Sequence, residues 1–488
     1  MKICVLPIDS RPCSYDFVKE LASMSGLECI LPPIDIMDSF RTPSCFSVIS
    51  KWLGTVVCDV LIISVDQLLY GSLLASRQGE LALSTVLERL QMLETLKSNN
   101  PNLRIFASTV LMRTSISTLS IETKKWWEAV GHYSKYAHLV QLDDSDIDSL
   151  FKLNELKAKI PEAVLDEFLS VRKRNHEVNK KCIALAGSGV IEFLLILQED
   201  CTEFGVHRVE QETLFELIGK YGIQHKAVLH NGTDEAVTEL FARAAVDYAT
   251  AAKIRWFGQN EGFIALFEDR PFRQNLMSHL RVVNIREDDE ADIILFVYPP
   301  KADQGDFMDG AEVPSSGYST EEMDSFAGEI ADAVNQGKKC FLLDVAFANG
   351  GDLGFLRRLA LRIDIGKLNG YSGWNTASNA LGTVLSQIVL SGGNNNCQNK
   401  NFTFGRILDD VIYQGVVRKR LNDELMRLGL DPWHISDEKQ ADEILQKEFK
   451  AVWPIIDEII QGQQLIFSAS LRWPRTFEVD IRLEVPPK

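Results

Sequence analysis

Apolar runs of strand length and stretches with helical periodicity follow one another regularly over the first 110 residues of the chain. Continuous apolar runs of strand length lie at residues 2–8, 27–31, 59–66 and 103–110. Stretches with helical periodicity separate them, at about 15–23, 45–53 and 85–97. Strands that are apolar on both faces are typical of parallel sheets covered by helices on both sides. The pattern therefore predicts an α/β fold of parallel strands flanked by helices.

A long charged segment at about 115–190 interrupts this alternation and is predicted to be a helical insertion. Further strands are then predicted at residues 192–197, 226–229, 253–257, 292–298, 339–345 and 366–369. Because about ten strands exceed the eight of a closed barrel, two architectures stay open. One is a (β/α)-barrel-like fold with two extra strands, and the other is a pair of facing doubly wound sheets. Both place ligands at the carboxyl ends of the strands.

The domain organisation follows from the same pattern. Residues 1–390 are predicted to form the α/β catalytic region, with the helical insertion at about 115–190 and a candidate second α/β subdomain at about 285–390. A polar patch, Gly392–Asn396, marks the boundary. Residues 391–488 are predicted to be a mainly helical C-terminal region that ends in a strand at about 476–485.

Composition narrows the choice of partners. The 488 residues are 45% hydrophobic and carry a formal net charge of −17, which argues against a nucleic-acid partner because phosphate binding needs a basic face. No apolar run approaches the roughly 20 residues of a membrane span, and the N-terminus lacks a signal-peptide pattern. The nine cysteines form no C-x-x-C pair. We therefore expect a cytoplasmic protein without a membrane partner; a homo-oligomer stays open.

Two adjacent carboxylates follow the predicted strand at 226–229. The segment His230-Asn-Gly-Thr-Asp-Glu235 ends that strand, turns at Gly232 and opens the next helix with Asp234 and Glu235. Asp and Glu at this position also cap and charge helix N-termini, so capping is the competing interpretation. Asp200 follows the preceding strand. Carboxyl groups in different surroundings have different pKa values, which gives one site both an acid and an anion. Asp200, Asp234 and Glu235 are therefore the candidate catalytic residues.

Polar and aromatic residues also follow other predicted strands, and one helix carries a polar stripe. We predict a substrate site from Asp9, Arg11, Asp66, Tyr70, Arg113, Asn175, His176, Asn231, Asp344, Trp374, Asn375 and Asn379. Each of these residues is also compatible with a turn, a cap or a solvated helix face. Together they supply the donors, acceptors and aromatic platform that a small-molecule carbohydrate needs.

Several other chemistries have little support. The chain lacks a P-loop, a dinucleotide-binding G-x-G-x-x-G after the first strand and a G-x-S-x-G elbow. Asp200, His207, His230 and Asp234 are the residues that would converge on a metal, but no H-x-H or H-E-x-x-H spacing accompanies them. We expect no cofactor and no metal, while metal catalysis stays an alternative.

Six segments of the chain resemble one bacterial family. These are Leu6–Pro12, Ser64–Arg77, Gln198–Gly205, Asn231–Glu235, Tyr371–Gly382 and Trp473–Glu478. Together they are similar to the "domain of unknown function 4127" family from end to end. The family pattern has Asp-Asp where this chain has Glu199-Asp200, and Ala where it has Thr233. The family name implies no activity.

A second resemblance is local. A strand followed by Gly-x-Asp-Glu is similar to the catalytic turn of β-N-acetylhexosaminidases, in which the aspartate orients the 2-acetamido group and the glutamate protonates the leaving oxygen. Two adjacent acids after a strand, with a later Trp-Asn loop, are similar to O-GlcNAcase-like hexosaminidases. These resemblances imply a hydrolase, specifically a glycosidase that uses carboxylate acid/base catalysis, with 2-acetamido sugars as candidate substrates. The alternatives are a metal-dependent sugar hydrolase or isomerase, and a non-catalytic sugar-binding protein.

Overall fold

A computed structural model describes residues 1–117, 121–308, 314–461, 463 and 465–484 of the chain. The chain forms two compact units, and each unit is assembled from separate segments. The first unit contains Met1–Ser10, Glu28–Leu240 and Phe267–Arg270. The second unit contains Arg11–Leu27, Phe241–Leu266 and Pro271–Lys488.

A six-stranded parallel sheet forms the centre of the first unit. Its strands are β1 (Lys2–Leu6), β2 (Glu28–Ile30), β3 (Val60–Ser64), β4 (Arg104–Leu111), β5 (Phe193–Gln198) and β6 (Ala227–Asn231). They lie in the order β2-β1-β3-β4-β5-β6, and every neighbouring pair is parallel. All residues of β3, β5 and β6 are buried, as the continuous apolar runs predict for a sheet covered on both faces.

Helices connect these strands and form the predicted insertion. The insertion consists of the three helices Ile121–Leu142, Ile147–Lys159 and Glu162–Gly187. The other helices of this unit are Ile34–Ile36 (3-10), Phe46–Thr55, Val65–Tyr70, Leu73–Ser76, Leu83–Leu90, Met92–Asn99 and His207–Tyr221. The helix Ala236–Ala245 begins in the first unit and ends in the second.

The second unit is built on a five-stranded parallel sheet. The strands of this unit are β7 (Thr250–Trp256), β8 (Ile285–Glu287), β9 (Ile293–Tyr298), β10 (Gly305–Asp306), β11 (Lys339–Asp344), β12 (Phe347–Ala348), β13 (Gly370–Ser372), β14 (Ile466–Ser470) and β15 (Asp480–Glu484). The main sheet has the order β13-β11-β9-β7-β8. Strands β10 and β12 form a short parallel pair, and β14 and β15 form an antiparallel pair.

A large apolar core stabilises the second unit. Stacked aromatic rings lie within it, with centroids 4.2 Å apart for Tyr298 and Phe355 and 4.5 Å apart for Phe257 and Phe326. The helices around the sheet are Pro12–Ser25, Phe272–Val283, Thr320–Asn335, Leu353–Ala360, Ile365–Lys367 (3-10), Ala377–Ser391, Cys397–Arg406, Ile407–Val417 (π), Arg418–Arg427, Glu438–Ala451 and Trp453–Ile460.

The two sheets share one strand order. Read from the second strand of each unit, the orders are β2-β1-β3-β4-β5 and β8-β7-β9-β11-β13, and β6 extends only the first sheet. This is the order of doubly wound sheets. The predicted α/β class is confirmed, and the described strands form two open sheets in place of a barrel-like one.

The structure differs locally from the strands that the sequence predicts. The strand predicted at residues 366–369 is wrong, because the 3-10 helix Ile365–Lys367 occupies this position and β13 follows it. The Asp364 carboxylate accepts the Gly366 N–H at 2.9 Å and stabilises this turn. Strand β14 was not predicted, since it alternates between exposed and buried positions without a continuous apolar run. No helix in the described part of the chain has the length and apolar composition to cross a membrane.

Candidate functional site

The segment after β6 places two glutamates on one face of a helix. Gly232 has φ +104°, a backbone conformation that side chains other than glycine disfavour, and the chain turns there. The N–H groups of Thr238 and Glu239 each donate to the Glu235 carbonyl at 3.0 Å, which makes the first helical turn. Because Glu235 and Glu239 are four residues apart, their side chains project from the same face.

His230, Glu235 and Glu239 form a group that we call the buried His/Glu group. Each residue offers one ligand atom, and these atoms lie within 4.8 Å of one another. The His230 Nε2 is 3.0 Å from Glu239 Oε2, and its Nδ1 is 3.9 Å from Glu235 Oε1. All three side chains have 0% exposure. The side chains of His230, Glu235 and Glu239 therefore have no contact with bulk water.

The hydrogen bonds of His230 determine which ring nitrogen carries the proton. Its Nδ1 lies 2.7 Å from the Asn231 carbonyl oxygen, which can only accept a hydrogen bond. The Nδ1 must therefore donate, and in the neutral ring Nε2 has a lone pair. That lone pair faces Glu239 Oε2 at 3.0 Å. Two acceptors at this distance require a proton or a cation between them.

The carboxyl group of Glu235 is buried without hydrogen bonds to other described residues. Both of its oxygens are buried, and neither has a hydrogen-bond partner among the residues that the structure describes. Burial raises the pKa of Glu235 well above its usual range, and the neighbouring charges of Glu239, Asp234 and Glu268 raise it further. A buried carboxyl without a donor is costly, so this position is poorly explained by stability alone.

Asp200 has the opposite environment on the adjacent strand. Gln198 at the end of β5 pairs with Asn231 at the end of β6, so the two acidic segments leave the sheet side by side. The Asp200 side chain is 36% exposed and forms an ion pair with Arg113. The same guanidinium lies 2.9 Å from buried Glu199, through its Nε. A cationic partner favours the ionised carboxylate.

A second cluster in the first unit contains a thiol. Cys201, His207 and Asp269 are buried and also offer ligand atoms within 4.8 Å of one another. Burial lowers the pKa of His207 to about 4. The Asp269 carboxylate already accepts hydrogen bonds from Arg270 Nε at 2.7 Å and from Gln211 Nε2 at 2.6 Å. Its oxygens are therefore largely used by protein donors.

Several predicted substrate residues of the first unit contact each other or the backbone. The Tyr70 hydroxyl donates to Asn175 Oδ1 at 2.9 Å, and the Asn175 amide donates to the Ser76 carbonyl at 2.8 Å. Asp66 accepts the Val110 N–H at 2.8 Å, and burial raises its pKa to about 7. These contacts join the segment after β3 to the insertion helix and to β4.

Asp9 and Asn231 lie at strand ends of this sheet, and His176 lies on the insertion helix Glu162–Gly187. Asp9 is buried after β1, at the point between β1 and β3 where the strand order reverses. The Asn231 amide donates to the Cys201 Sγ at 3.3 Å. Burial lowers the pKa of His176 to about 4. The catalytic candidate Asp234 is buried beside Glu235.

The remaining predicted residues belong to the second unit. Asp344 ends β11, and its Oδ2 accepts the Tyr371 hydroxyl at 3.0 Å. Trp374 packs against Phe477 with ring centroids 5.5 Å apart.

The last three of these residues have backbone or ion-pair roles. Asn375 has φ +67°, and its carbonyl accepts the Asn349 N–H at 2.8 Å. The Asn379 N–H donates to Thr376 Oγ1 at 3.4 Å, which caps a helix. Arg11 pairs with Glu478 at 3.8 Å. The predicted residues are thus divided between the two units.

Sequence reasoning missed two carboxylates near Glu235. Glu239 had a local signal, because it follows Glu235 at the i, i+4 spacing that aligns side chains on a helix. Glu268 had none, since the short segment Phe267–Arg270 joins the first unit through tertiary contacts such as the Cys201 N–H to the Phe267 carbonyl at 3.0 Å.

Comparison with known proteins identifies the family. The family model described as "Protein of unknown function (DUF4127)" matches residues 3–482. The chain therefore belongs to this family, as the resemblance of its motifs predicted. No curated protein and no solved structure matches it.

Proposed function

We propose that this member of the DUF4127 family is a glycoside hydrolase that cleaves a sugar or an oligosaccharide at the carboxyl edge of its six-stranded sheet. The observation that carries this proposal is the pairing of Gln198 with Asn231, which brings two acidic segments to adjacent strand ends. Sugars with a 2-acetamido group are the first substrates to test, because of the local resemblance of the Gly-x-Asp-Glu turn. A cytoplasmic location stays a prediction.

The two acidic segments differ in a way that suits acid/base catalysis. Asp200 is partly exposed and paired with Arg113, which favours the ionised form that a base, a nucleophile or a stabiliser of positive charge requires. The turn with Asp234 and Glu235 supplies the acid side. Hydrolysis breaks the bond between the anomeric carbon and the leaving oxygen, and the acid gives the leaving oxygen a proton. A water molecule adds its hydroxyl to the anomeric carbon and gives its other proton to the base.

A metal-dependent sugar hydrolase or isomerase is the second candidate. The observation that favours it is the buried His/Glu group, in which an imidazole nitrogen and a carboxylate oxygen lie 3.0 Å apart. Glu235 has 0% side-chain exposure, so it reaches a substrate directly only if this edge opens. With a cation bound by the same residues, Glu235 would act as a ligand and would not itself contact the substrate.

A panel of 4-nitrophenyl glycosides tests the proposed function. We expect cleavage of at least one glycoside by the wild type, and a loss of about 10²- to 10⁴-fold in kcat/KM for both Asp200→Asn and Glu235→Gln. Glu216→Gln is the matched control, because Glu216 is exposed on the helix His207–Tyr221. Full activity in both Asp200→Asn and Glu235→Gln contradicts the assignment, and an uncleaved panel that includes 2-acetamido sugars contradicts the function.

A further inference from the structure

The spacing of the buried His/Glu group fits ligands of a single ion. Two ligand atoms bound about 2.1 Å from one metal at angles between octahedral and tetrahedral lie about 3.0 to 3.4 Å apart. His230 Nε2 and Glu239 Oε2 are 3.0 Å apart. His230, Glu235 and Glu239 each offer one ligand atom, and these atoms lie within 4.8 Å of one another. Sharing one ion requires side-chain rotation, because two ligand atoms of one metal lie at most about 4.2 Å apart.

The orientation of His230 is that of a metal ligand. Histidines that bind metals donate their other ring N–H to a carbonyl or a carboxylate, which fixes the ring and its tautomer. The His230 Nδ1 donates to the Asn231 carbonyl at 2.7 Å in this way. Its Nε2 is thereby directed at Glu239. The peptide group that follows β6 therefore holds the ring ready for a ligand.

Glu235 is an independent indication of a missing partner. Both oxygens are buried without a hydrogen-bond partner among the described residues, although a buried carboxylate is normally paired or bound to a metal. The side chain belongs to the same group as His230 and Glu239. A cation would satisfy its oxygens and would offset the repulsion between the two glutamates.

The thiol cluster of Cys201, His207 and Asp269 is less suitable for a cation. Arg270 and Gln211 already donate to its carboxylate, and Arg208 Nη1 lies 3.4 Å from Asp269 Oδ2. Positive charge at these distances repels a metal ion. This cluster therefore serves as the internal comparison.

We propose that His230, Glu235 and Glu239 bind one divalent transition-metal cation. One imidazole and two carboxylates suit Zn²⁺ or Mn²⁺. The catalytic part of this inference rests on the metal-dependent candidate of the proposed function, in which Glu235 is an ionised ligand and not the acid. A bound cation would lower the pKa of a coordinated water and provide the electrophile that hydrolysis needs on this edge.

Metal titration of the full chain tests the site. The wild type is stripped with a chelator, exchanged into chelator-free buffer and titrated with ZnCl₂ and with MnCl₂ by calorimetry. We expect one site per chain for at least one of the two ions. Glu239→Gln and Glu235→Gln should each weaken that site by about 100-fold or more, since losing a ligand costs at least as much as losing an outer-sphere partner.

Two control variants test whether the ion binds at the buried His/Glu group. Glu216→Gln and His207→Gln should bind the ion as the wild type does, because neither residue belongs to the buried His/Glu group. Circular dichroism of the stripped variants checks that they are folded. If a glutamate variant does not fold, the wild-type stoichiometry and the His207→Gln titration still decide the question.

Three results overturn the inference: a wild type that binds neither ion, wild-type affinity in folded Glu239→Gln, or loss of the site in His207→Gln. The proposed function fails separately. If the ion binds and no glycoside is cleaved, the metal site stands without the hydrolase. If glycosides are cleaved by metal-free protein in the presence of chelator, the hydrolase stands without the metal.

Discussion

The carboxyl edges of the two sheets differ in how their buried carboxylates are satisfied. In the first unit, the Glu235 oxygens have no hydrogen-bond partner among the described residues. In the second unit, Asp344 Oδ2 accepts both the Tyr371 hydroxyl at 3.0 Å and the Asp352 N–H at 2.7 Å. Both edges therefore contain buried carboxyl groups. They differ in whether protein groups donate hydrogen bonds to these carboxyls: the carboxyls that receive such bonds form a structural network, and Glu235, which receives none from other described residues, belongs to a candidate site.

A second carboxylate of the second unit extends this network. Asp410 Oδ2 accepts the Gly373 N–H at 2.8 Å, and its Oδ1 accepts Arg406 Nη1 at 3.1 Å. The same Nη1 bonds Asp409 at 3.1 Å. These contacts tie the π-helix Ile407–Val417 to the loop after β13. We infer that this network holds the second unit together.

The strand order explains where the difference arises. The two sheets share the order of five strands, and β6 has no counterpart in the second sheet. The buried His/Glu group begins on this additional strand and continues into the helix after it. The network of the second unit lies within the shared order of strands, and the added strand β6 carries His230 of the buried His/Glu group. The other catalytic candidate, Asp200, follows the shared strand β5.

Arg406→Met should have the largest effect on stability. The guanidinium is 5% exposed, and its removal leaves Asp409 and Asp410 buried without this cation. Loss of one partner from a buried ion pair costs about 3–5 kcal/mol. Amide hydrogen exchange of β9 and β11 measures the loss in the second unit.

The control for this variant is Arg357→Met, which removes an exposed arginine that pairs with Glu458 at 3.1 Å. It should change stability by less than about 1 kcal/mol. Equal protection of the β9 and β11 amides from exchange in Arg406→Met and the wild type would contradict the comparison. The carboxylate network of the second unit would then not contribute to its stability.

Asp344→Asn should change the pH dependence of stability. Burial, and then the charge of Asp352, raise the pKa of Asp344 to about 7 in the folded protein. Since the folded state holds the proton more tightly than the unfolded chain, this stabilisation is complete below about pH 4 and is lost as the pH rises through 7.

Between pH 5 and pH 7 the wild type should lose about 2 kcal/mol from this group, and Asp344→Asn should not. Urea unfolding at the two pH values measures the difference. Asp423→Asn, at an exposed position, should keep the wild-type slope. An unchanged slope in Asp344→Asn would show that this carboxyl is ionised throughout.

Glu235→Met should have the smallest effect on stability, and it should stabilise the protein where Arg406→Met destabilises it. Replacing a buried carboxyl that lacks hydrogen-bond partners by an apolar side chain should stabilise the metal-free protein by about 1 kcal/mol. Thermal melting in chelator, with Glu216→Met as control, measures it. A loss similar to that of Arg406→Met would instead make Glu235 a structural residue.

The sequence predicted the strands better than their arrangement. Runs such as Val60–Ser64 are apolar on both faces, so the parallel sheet was visible locally. The division into units was not, because the segment Phe267–Arg270 joins the first unit and Arg11–Leu27 joins the second through distant contacts.

The candidate site shows the same limit. The Asp234–Glu235 turn was recognisable because strand, glycine and helix are contiguous. Asp344 is also an acidic residue at the end of a strand, but Tyr371, which donates a hydrogen bond to it, lies 27 residues later in the sequence. Hydrogen-bond partners at that separation decide the surroundings of a carboxylate and leave no local pattern.

Anomalous diffraction from crystals grown with Zn²⁺ or Mn²⁺ tests the central contrast most directly. We predict one anomalous peak about 2.0–2.2 Å from His230 Nε2 and from an oxygen of both Glu235 and Glu239, and no peak at Asp344 or Asp410. An empty His/Glu group at saturating metal, or a peak at the second edge, would contradict the account.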